Sequence, residues 1–353
     1  MEVFKAHRTL HSEPIYMKSD TVSDDVKSAQ DNNGSSYPAQ ICGDKVCIIA
    51  DIKKGDNEFT FSDKQIGGYA GGVKLVMKDA EKRIDFILGS EPYTKPFTSY
   101  NYSDEFVKPF LGEVFNSQGE SFTRLDFETK EHPHHRSVFL GVGDVNGIDF
   151  WNEPADRGSQ KHVGFRDIVC GTAFAKFTAD NVWLSVDNVP MIDESRTFTI
   201  YNQSEEIHCI DVEITFTATY KDITFGATKE AGPLGIRMNE KLRADKGTGH
   251  MINSYGAVGE SECWGRSAQW CDYSGILEGR NCGITVFDNE QNERYPTAWH
   301  IRDYGLFAAN NLFFKGGFDI PKGDSVTYKY RIWFYEYGFD HSERFVQYAN
   351  NER

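Results

Sequence analysis

The clearest pattern in the chain is a strict alternation. In HCIDVEITFTATY (208–220), His208, Ile210, Val212, Ile214, Phe216, Ala218 and Tyr220 fall on one face, and Cys209, Asp211, Glu213, Thr215, Thr217 and Thr219 on the other. A period of two held this long predicts a strand with one face on a core and the other toward solvent or a polar cleft. TFTIYN (197–202), NCGITVFDN (281–289) and SVTYKYRIWFYEYG (325–338) repeat the theme, and the last is long enough for a central strand of a large sheet. From about residue 46 onward KVCIIADI, EFTFSD, VKLVMKD and RIDFILG are short apolar runs cut by Gly, Asp and Lys, the mark of strands at hairpin spacing. Residues 96–115 are aromatic-rich and irregular, a loop or β-arch. The best helical segment is HSERFVQYANN near the C-terminus, and no repeat of solenoid or propeller period is present. Residues 1–45 are polar, and SDTVSDDVKSAQDNNGSSYPAQ predicts an arm or linker. The expected fold is all-β: residues 46–353 as a single large antiparallel two-sheet β-sandwich.

Composition narrows the partners. The chain has 353 residues, enough for a substantial core, and its 14% aromatic content favours strands. The net charge of −15 is spread along the chain, so neither a nucleic acid nor an anionic membrane is an expected partner. A local Arg cluster can still hold an anionic small substrate. Seven Cys, an odd number without a paired CxxC zinc pattern, read as thiols in a reducing compartment. MEVFKAHRTLHSEP has no apolar signal core, and no stretch is long and apolar enough for a bilayer, so a cytoplasmic location is expected. Nothing in the chain sets an oligomeric state.

The candidate chemistry gathers in EHPHHR (131–136). Read as a strand leaving a Pro-punctuated loop, it puts His132, His134 and Arg136 on one face and His135 on the other, so two of the three imidazoles reach one site unless the strand bulges. One reading is a divalent metal held by His132 and His134, with a third ligand from His162, His300 or a carboxylate of Asp144, Asp149, Asp272 or Asp303. The other is acid–base chemistry, with an imidazole titrating near neutrality and Arg136 holding a carboxylate, sulfate or enolate oxygen. The second needs fewer ligands and is preferred, with no cofactor expected. The structural alternative is a set of histidines bonded to loop carbonyls around Pro133. GVGDVNG lacks the Lys-Ser/Thr of a phosphate loop and reads as a tight turn, with Trp151 following near the same rim.

Two further segments mix aromatic and polar groups as a carbohydrate site does. ECWGRSAQWCDYSG holds Trp264, Arg266, Trp270, Asp272 and Tyr273; YPTAWHIRDYGLFAANN holds Trp299, His300, Arg302, Asp303, Tyr304 and Asn310. GATKEAGPLGIRM offers Glu230 as a second acid–base group. Core packing is the alternative for each Trp taken singly.

HPHHRSVFLGVGDVNGIDFW, KEAGPLGIRM, WGRSAQWCDYSG and PTAWHIRDYGLFAANN together resemble the PmoA-like family, bacterial proteins named after a methane oxygenase subunit; the resemblance runs from about residue 90 to the C-terminus. The membrane-bound methane chemistry is not carried over to a chain with no span. The resemblance implies a galactose-mutarotase-like supersandwich and company with sugar-utilisation genes. It also implies that His134, His135, Arg136, Arg266, Asp272, His300, Arg302 and Asp303 lie in or near the site.

The resulting expectation is a carbohydrate-active enzyme on a sugar or oligosaccharide, performing elimination, epimerisation or hydrolysis. His134 or His135 with His300 would be acid and base, and Asp303 or Asp272 would orient an imidazole. Arg136 and Arg266 would hold an anionic or carbonyl oxygen, and Arg302 and Asp272 would contact the substrate. Trp151 and Trp270 would stack on the sugar, with Glu230 and Tyr304 on the rim. The alternatives are a non-catalytic carbohydrate-binding protein and a His-ligated metal-dependent oxygenase or hydrolase.

Overall fold

The computed structural model describes residues 2–18, 22–66, 72–88, 96–125, 131–153, 156–204 and 206–351. Three large antiparallel sheets carry the architecture. The front sheet has eight strands in the order Trp299–Arg302, Leu306–Ala309, Ala231–Arg237, Val138–Val142, Phe110–Gly112, Thr98–Asn101, Arg83–Leu88, Val73–Lys78. The back sheet, also of eight, runs Ser159–Val169, Phe174–Leu184, Pro190–Tyr201, Ile207–Thr217, Ser325–Glu336, Arg280–Asp288, Trp270–Leu277, His250–Asn253. The alternating segment is Ile207–Thr217, and Ser325–Glu336 pairs with it and with Arg280–Asp288 in the middle of the sheet, as the pattern predicts.

Between these sheets lies the main core. Ile84, Phe86, Tyr100, Leu140 and Ile236 from the front meet Phe177, Phe198, Ile210, Val212, Ile332 and Phe334 from the back. Phe86 and Tyr100 lie 5.5 Å and 5.6 Å from Phe177 and Phe198, ring centre to ring centre. Each buried ring contributes about 2–3 kcal/mol from burial alone. This is the expected antiparallel β-sandwich. The segment 96–115 is neither a loop throughout nor a β-arch: strands Thr98–Asn101 and Phe110–Gly112 hydrogen-bond to each other in the front sheet as a long-looped hairpin, while HSERFVQYANN is the expected helix, His341–Asn351.

The N-terminal segment differs from expectation. It is not an arm: residues 2–62 build a third sheet of six strands, ordered Glu2–Ala6, Gly55–Ser62, Ser28–Asp31, Ser36–Cys42, Lys45–Ile52, Leu10–Lys18. The boundary placed at residue 46 therefore falls inside this sheet. Its own core is small, built on Ala6, Leu10, Ile15, Ala29, Tyr37, Ala39, Ile48 and Phe59. Many of those side chains are short and their strands are brief, which is why the segment reads as polar.

This sheet covers the outer face of the back sheet. Cys47 and Ile49 pack with Phe174, Tyr201, Cys209, Trp333, Phe345 and Tyr348. Within the seam Glu13 is fully buried and accepts from Arg344 at 2.6 Å, with Arg331 at 3.8 Å. Arg331 in turn donates twice to Asp211, at 2.6 and 2.8 Å. With the back sheet covered, the outer face of the front sheet is where a site can form. No helix of the described residues is long and apolar enough to cross a membrane.

Candidate functional site

Register places two rows of side chains on that outer face. Phe139 pairs with Gly235, Gly235 with Ala308 and Ala308 with His300. Beside this row, Arg237 pairs with Leu306 and Leu306 with Arg302. Paired residues project to the same side of a sheet. Gly235 is needed here because a Cβ would meet the Phe139 ring at 2.8 Å.

The histidine segment is a turn and not the expected strand. The His135 amide donates to the His132 carbonyl at 3.0 Å, His132 has a positive φ of 53°, and the strand begins only at Val138. The strand reading sent one imidazole away from the other two; the turn brings all three together. His132 stacks on Tyr304 at 4.8 Å and 5°, and on His135 at 4.9 Å and 7°. His135 stacks in turn on Phe139 at 5.3 Å, and His134 stands edge-on to His135 at 4.4 Å. The result is a column of rings: Tyr304, His132, His135, Phe139. Nitrogen lone pairs lie in the ring plane, so two parallel stacked imidazoles do not converge on one ion. This geometry disfavours joint metal ligation by His132 and His135.

The field at these rings is positive although the protein carries a charge of −15. Burial is the main cause that lowers all three histidines. Nearby cations act in the same direction: Lys108 and Arg136 help push His134 down to about 3, and Arg237 and Lys108 help hold His135 well below its ordinary value. All three rings are therefore neutral at pH 7. His135 is 2% exposed, and neither of its ring nitrogens has a hydrogen-bond partner among the described residues.

Arg237 is the most unusual group here. It is fully buried, and none of its three guanidinium nitrogens makes a hydrogen bond among the described residues. Its guanidinium lies 5.0 Å over the Tyr304 ring, and its nearest carboxylate, Glu240, is 3.9 Å away. Burial, with Arg124 next in size, lowers it to about 10. The surrounding cations are better matched. Arg124 pairs with Glu240, while Arg243 holds Glu131 and Glu240 at 2.9 Å and Asp245 at 2.6 Å. Lys108, lowered to about 8 chiefly by burial, donates to the Trp151 carbonyl at 2.5 Å and faces Glu153 at 3.5 Å, the carboxylate that also pairs with Arg136.

Of the residues expected from sequence, His134, His135, Arg136, Trp151 and Tyr304 meet in this cluster. Trp151 is 2% exposed and walls in His135 edge-on at 5.2 Å, so it is not an open stacking platform. His300 sits at the far end of its row, three strand spacings or roughly 14 Å along the sheet from Phe139. Its Nδ1 is 2.6 Å from the Lys229 carbonyl, its neighbours include Glu230, and burial lowers its pKa. Arg302 pairs with Glu260 at 2.9 Å and lies 5.6 Å over Tyr304.

The remaining expectations separate from the site. The Asp303 carboxylate touches no imidazole among the described residues; its amide donates to Glu260 at 2.6 Å. Trp270 and Asp272 belong to the back sheet, where Trp270 stacks on His341 at 4.9 Å. There Asp272 accepts from Thr285 at 2.6 Å, Ser274 at 2.8 Å and Tyr335 at 3.0 Å, and faces His341 and not His300. Arg266 is exposed, with no side-chain partner among the described residues. His162 packs against Tyr102 and Phe165 on the back sheet's edge strand, at 4.7 and 4.1 Å. Sequence reasoning missed Arg237, Lys108 and Glu153. The available signal for Arg237 was GPLGIRM, an apolar strand that ends in a lone Arg.

Comparison with known proteins adds little beyond the fold. No curated protein matches the chain. Among solved structures, galactose 1-epimerase from Lactobacillus acidophilus NCFM is similar at 10% identity and a TM-score of 0.36, over 75% of this chain and 99% of that one. At that level the likeness says nothing about activity. The family model that matches covers residues 93–348 and so takes in the histidine turn, the Arg237 strand and His300. The chain thus belongs to DUF6807, a family of unknown function.

Proposed function

We propose that the protein is a carbohydrate-active enzyme whose site is the ring column on the outer face of the front sheet. The observation that carries this reading is the adjacency of two unsatisfied buried groups, the neutral His135 imidazole and the Arg237 guanidinium. A neutral imidazole can take a proton, and a guanidinium can hold the oxygen on which charge then develops. This pairing suits removal of a proton beside a carbonyl or carboxyl group, the step that opens both elimination and epimerisation. Hydrolysis commonly uses two carboxylates flanking the bond. Here Glu131, Glu153 and Glu240 are all engaged with Arg side chains. The spacing favours His134 over His300 as the partner of His135, and leaves His300 and Glu230 to a neighbouring part of the substrate.

A non-catalytic sugar-binding role is the second reading. What favours it is the low basicity of both rings in the empty site, with His134 held to about 3 and His135 also well below its ordinary value. An anion bound beside Lys108 and Arg237 would raise both by cancelling their fields.

The two readings separate in deuterium oxide. Sugars bearing a carbonyl or carboxyl group are incubated with the protein and followed by proton NMR. The enzyme reading expects loss of the signal at the carbon beside that group, and no loss with His135→Gln. Broadened but undiminished signals would establish binding without chemistry.

A further inference from the structure

Resting on the reading of the site just given, we infer that Arg237 is the receptor for a carboxylate on the substrate, so that the sugar is a uronate. The Arg237 guanidinium is fully buried and makes no hydrogen bond among the described residues; Glu240, at 3.9 Å, is shared with Arg124 and Arg243, whereas the cations around Arg237 are paired at closer range. Arg243 is shared among three carboxylates and Arg124 has Glu240. A buried cation kept without a hydrogen-bonded partner is a poor structural device, because desolvation is not fully offset by a counter-charge at that distance. It is a sound device for a ligand that brings the counter-charge.

The shape of the missing group follows from the guanidinium. Its planar fork matches a planar carboxylate through two parallel hydrogen bonds. Glu240 at 3.9 Å, with Glu131 also near, opposes a dianion such as phosphate more than a monoanion. Tyr304 is partly exposed and lies over the guanidinium, and its ring swings on two side-chain torsions. With Tyr304 turned aside, a carboxylate takes its place beside His132 and His135.

The chemistry then balances. The imidazole takes the proton from C5, the carbon bearing the carboxylate. The electron pair left behind delocalises into the carboxyl group, whose oxygens Arg237 holds. In elimination that pair returns to form the C4–C5 double bond as the C4–O4 bond breaks, and O4 leaves with a proton. In epimerisation a proton is returned to the other face of C5. Neither route requires an oxidant or a reductant.

The test is a thermal-shift titration at pH 7 with D-galacturonate, D-glucuronate, D-galactose and acetate. Wild type, Arg237→Met and Arg237→Lys are compared. We expect both uronates to raise the wild-type midpoint, and galactose and acetate at the same concentrations to leave it unchanged. Arg237→Met should melt no lower than wild type without ligand, since it removes a buried charge that has no hydrogen-bonded counter-ion, and should lose the uronate shift. Should Arg237→Met not fold, Arg237→Lys serves: it keeps the charge but not the fork, and uronate affinity should fall about tenfold or more.

A uronate shift that survives in Arg237→Met, or uronate affinity that is undiminished in Arg237→Lys, overturns the inference, as does no shift with either uronate. Equal shifts with galactose and uronate that persist in the variants would leave the carbohydrate reading standing and remove the carboxylate. An acetate shift as large as the uronate shift would instead sink the carbohydrate reading, and this inference with it.

Discussion

At the scale of single residues, the site combines neutral imidazoles with a cation kept from water. Its pH behaviour follows from His134. An unfolded histidine takes its proton as pH falls through about 6.5, whereas the folded ring refuses it until about 3. The unfolded state thus binds more protons across that window. The stability from the neutral ring is complete above pH 6.5 and is lost as pH falls below it, and His132 and His135 shift in the same direction. Between pH 7 and 5 this contribution lowers the thermal midpoint, while the buried Asp288, raised to about 7, acts with the opposite sign, so the His134 share is read as the difference from a variant without it. His134→Gln should remove that share, and an unchanged slope would refute the assignment. That three imidazoles lie close together in the chain is legible in EHPHHR. Their convergence is not, because strand periodicity cannot announce a turn; the only hint is Pro133 at a position turns favour. Arg237 is less legible still. An Arg closing an apolar run resembles a surface residue until Tyr304 and His132 arrive from elsewhere to cover it.

At the scale of elements, strands with long alternation were readable and strands with short or polar buried faces were not. Ile207–Thr217 and Ser325–Glu336 lie in the middle of the sheet their patterns required. Leu10–Lys18 defeats the same reading because Glu13 sits fully buried in it. The partner that makes this tolerable, Arg344, is 331 residues away. Removing one member of such a pair leaves the other charge buried and alone, at a cost of about 3–5 kcal/mol. Glu13→Ala should therefore lower unfolding free energy in urea by that order. A loss under about 1 kcal/mol would mean the seam is solvated and the N-terminal sheet only loosely seated. The segment WGRSAQWCDYSG shows a second limit. It reads as one polar-aromatic cluster, yet it leaves the front face at Trp264 and is on the back sheet by Trp270. Proximity in sequence stood in for proximity in space, and across a sandwich it fails.

At the scale of the whole molecule, the two outer faces have different surroundings. One is buried beneath the N-terminal sheet and the C-terminal helix; the other carries the ring column and its cations. A conservative change on the covered face should therefore leave ligand responses intact. Trp270→Phe keeps a ring against His341 and should show the same uronate shift and the same deuterium exchange as wild type. A lost response would join the two faces into one functional unit.

The six-stranded sheet and the strands Val73–Lys78 and Arg83–Leu88 all precede residue 93, where the family match begins. Yet Arg83–Leu88 is hydrogen-bonded along Thr98–Asn101, and Cys47 and Ile49 shield Phe174 and Trp333. A fragment cut at that limit would present an unpaired strand edge and a bare aromatic surface, the two features that drive chains to stick to one another. The limit of the shared family and the limit of independent folding do not coincide. What looks from the family match like a dispensable leader is what covers that edge and that surface.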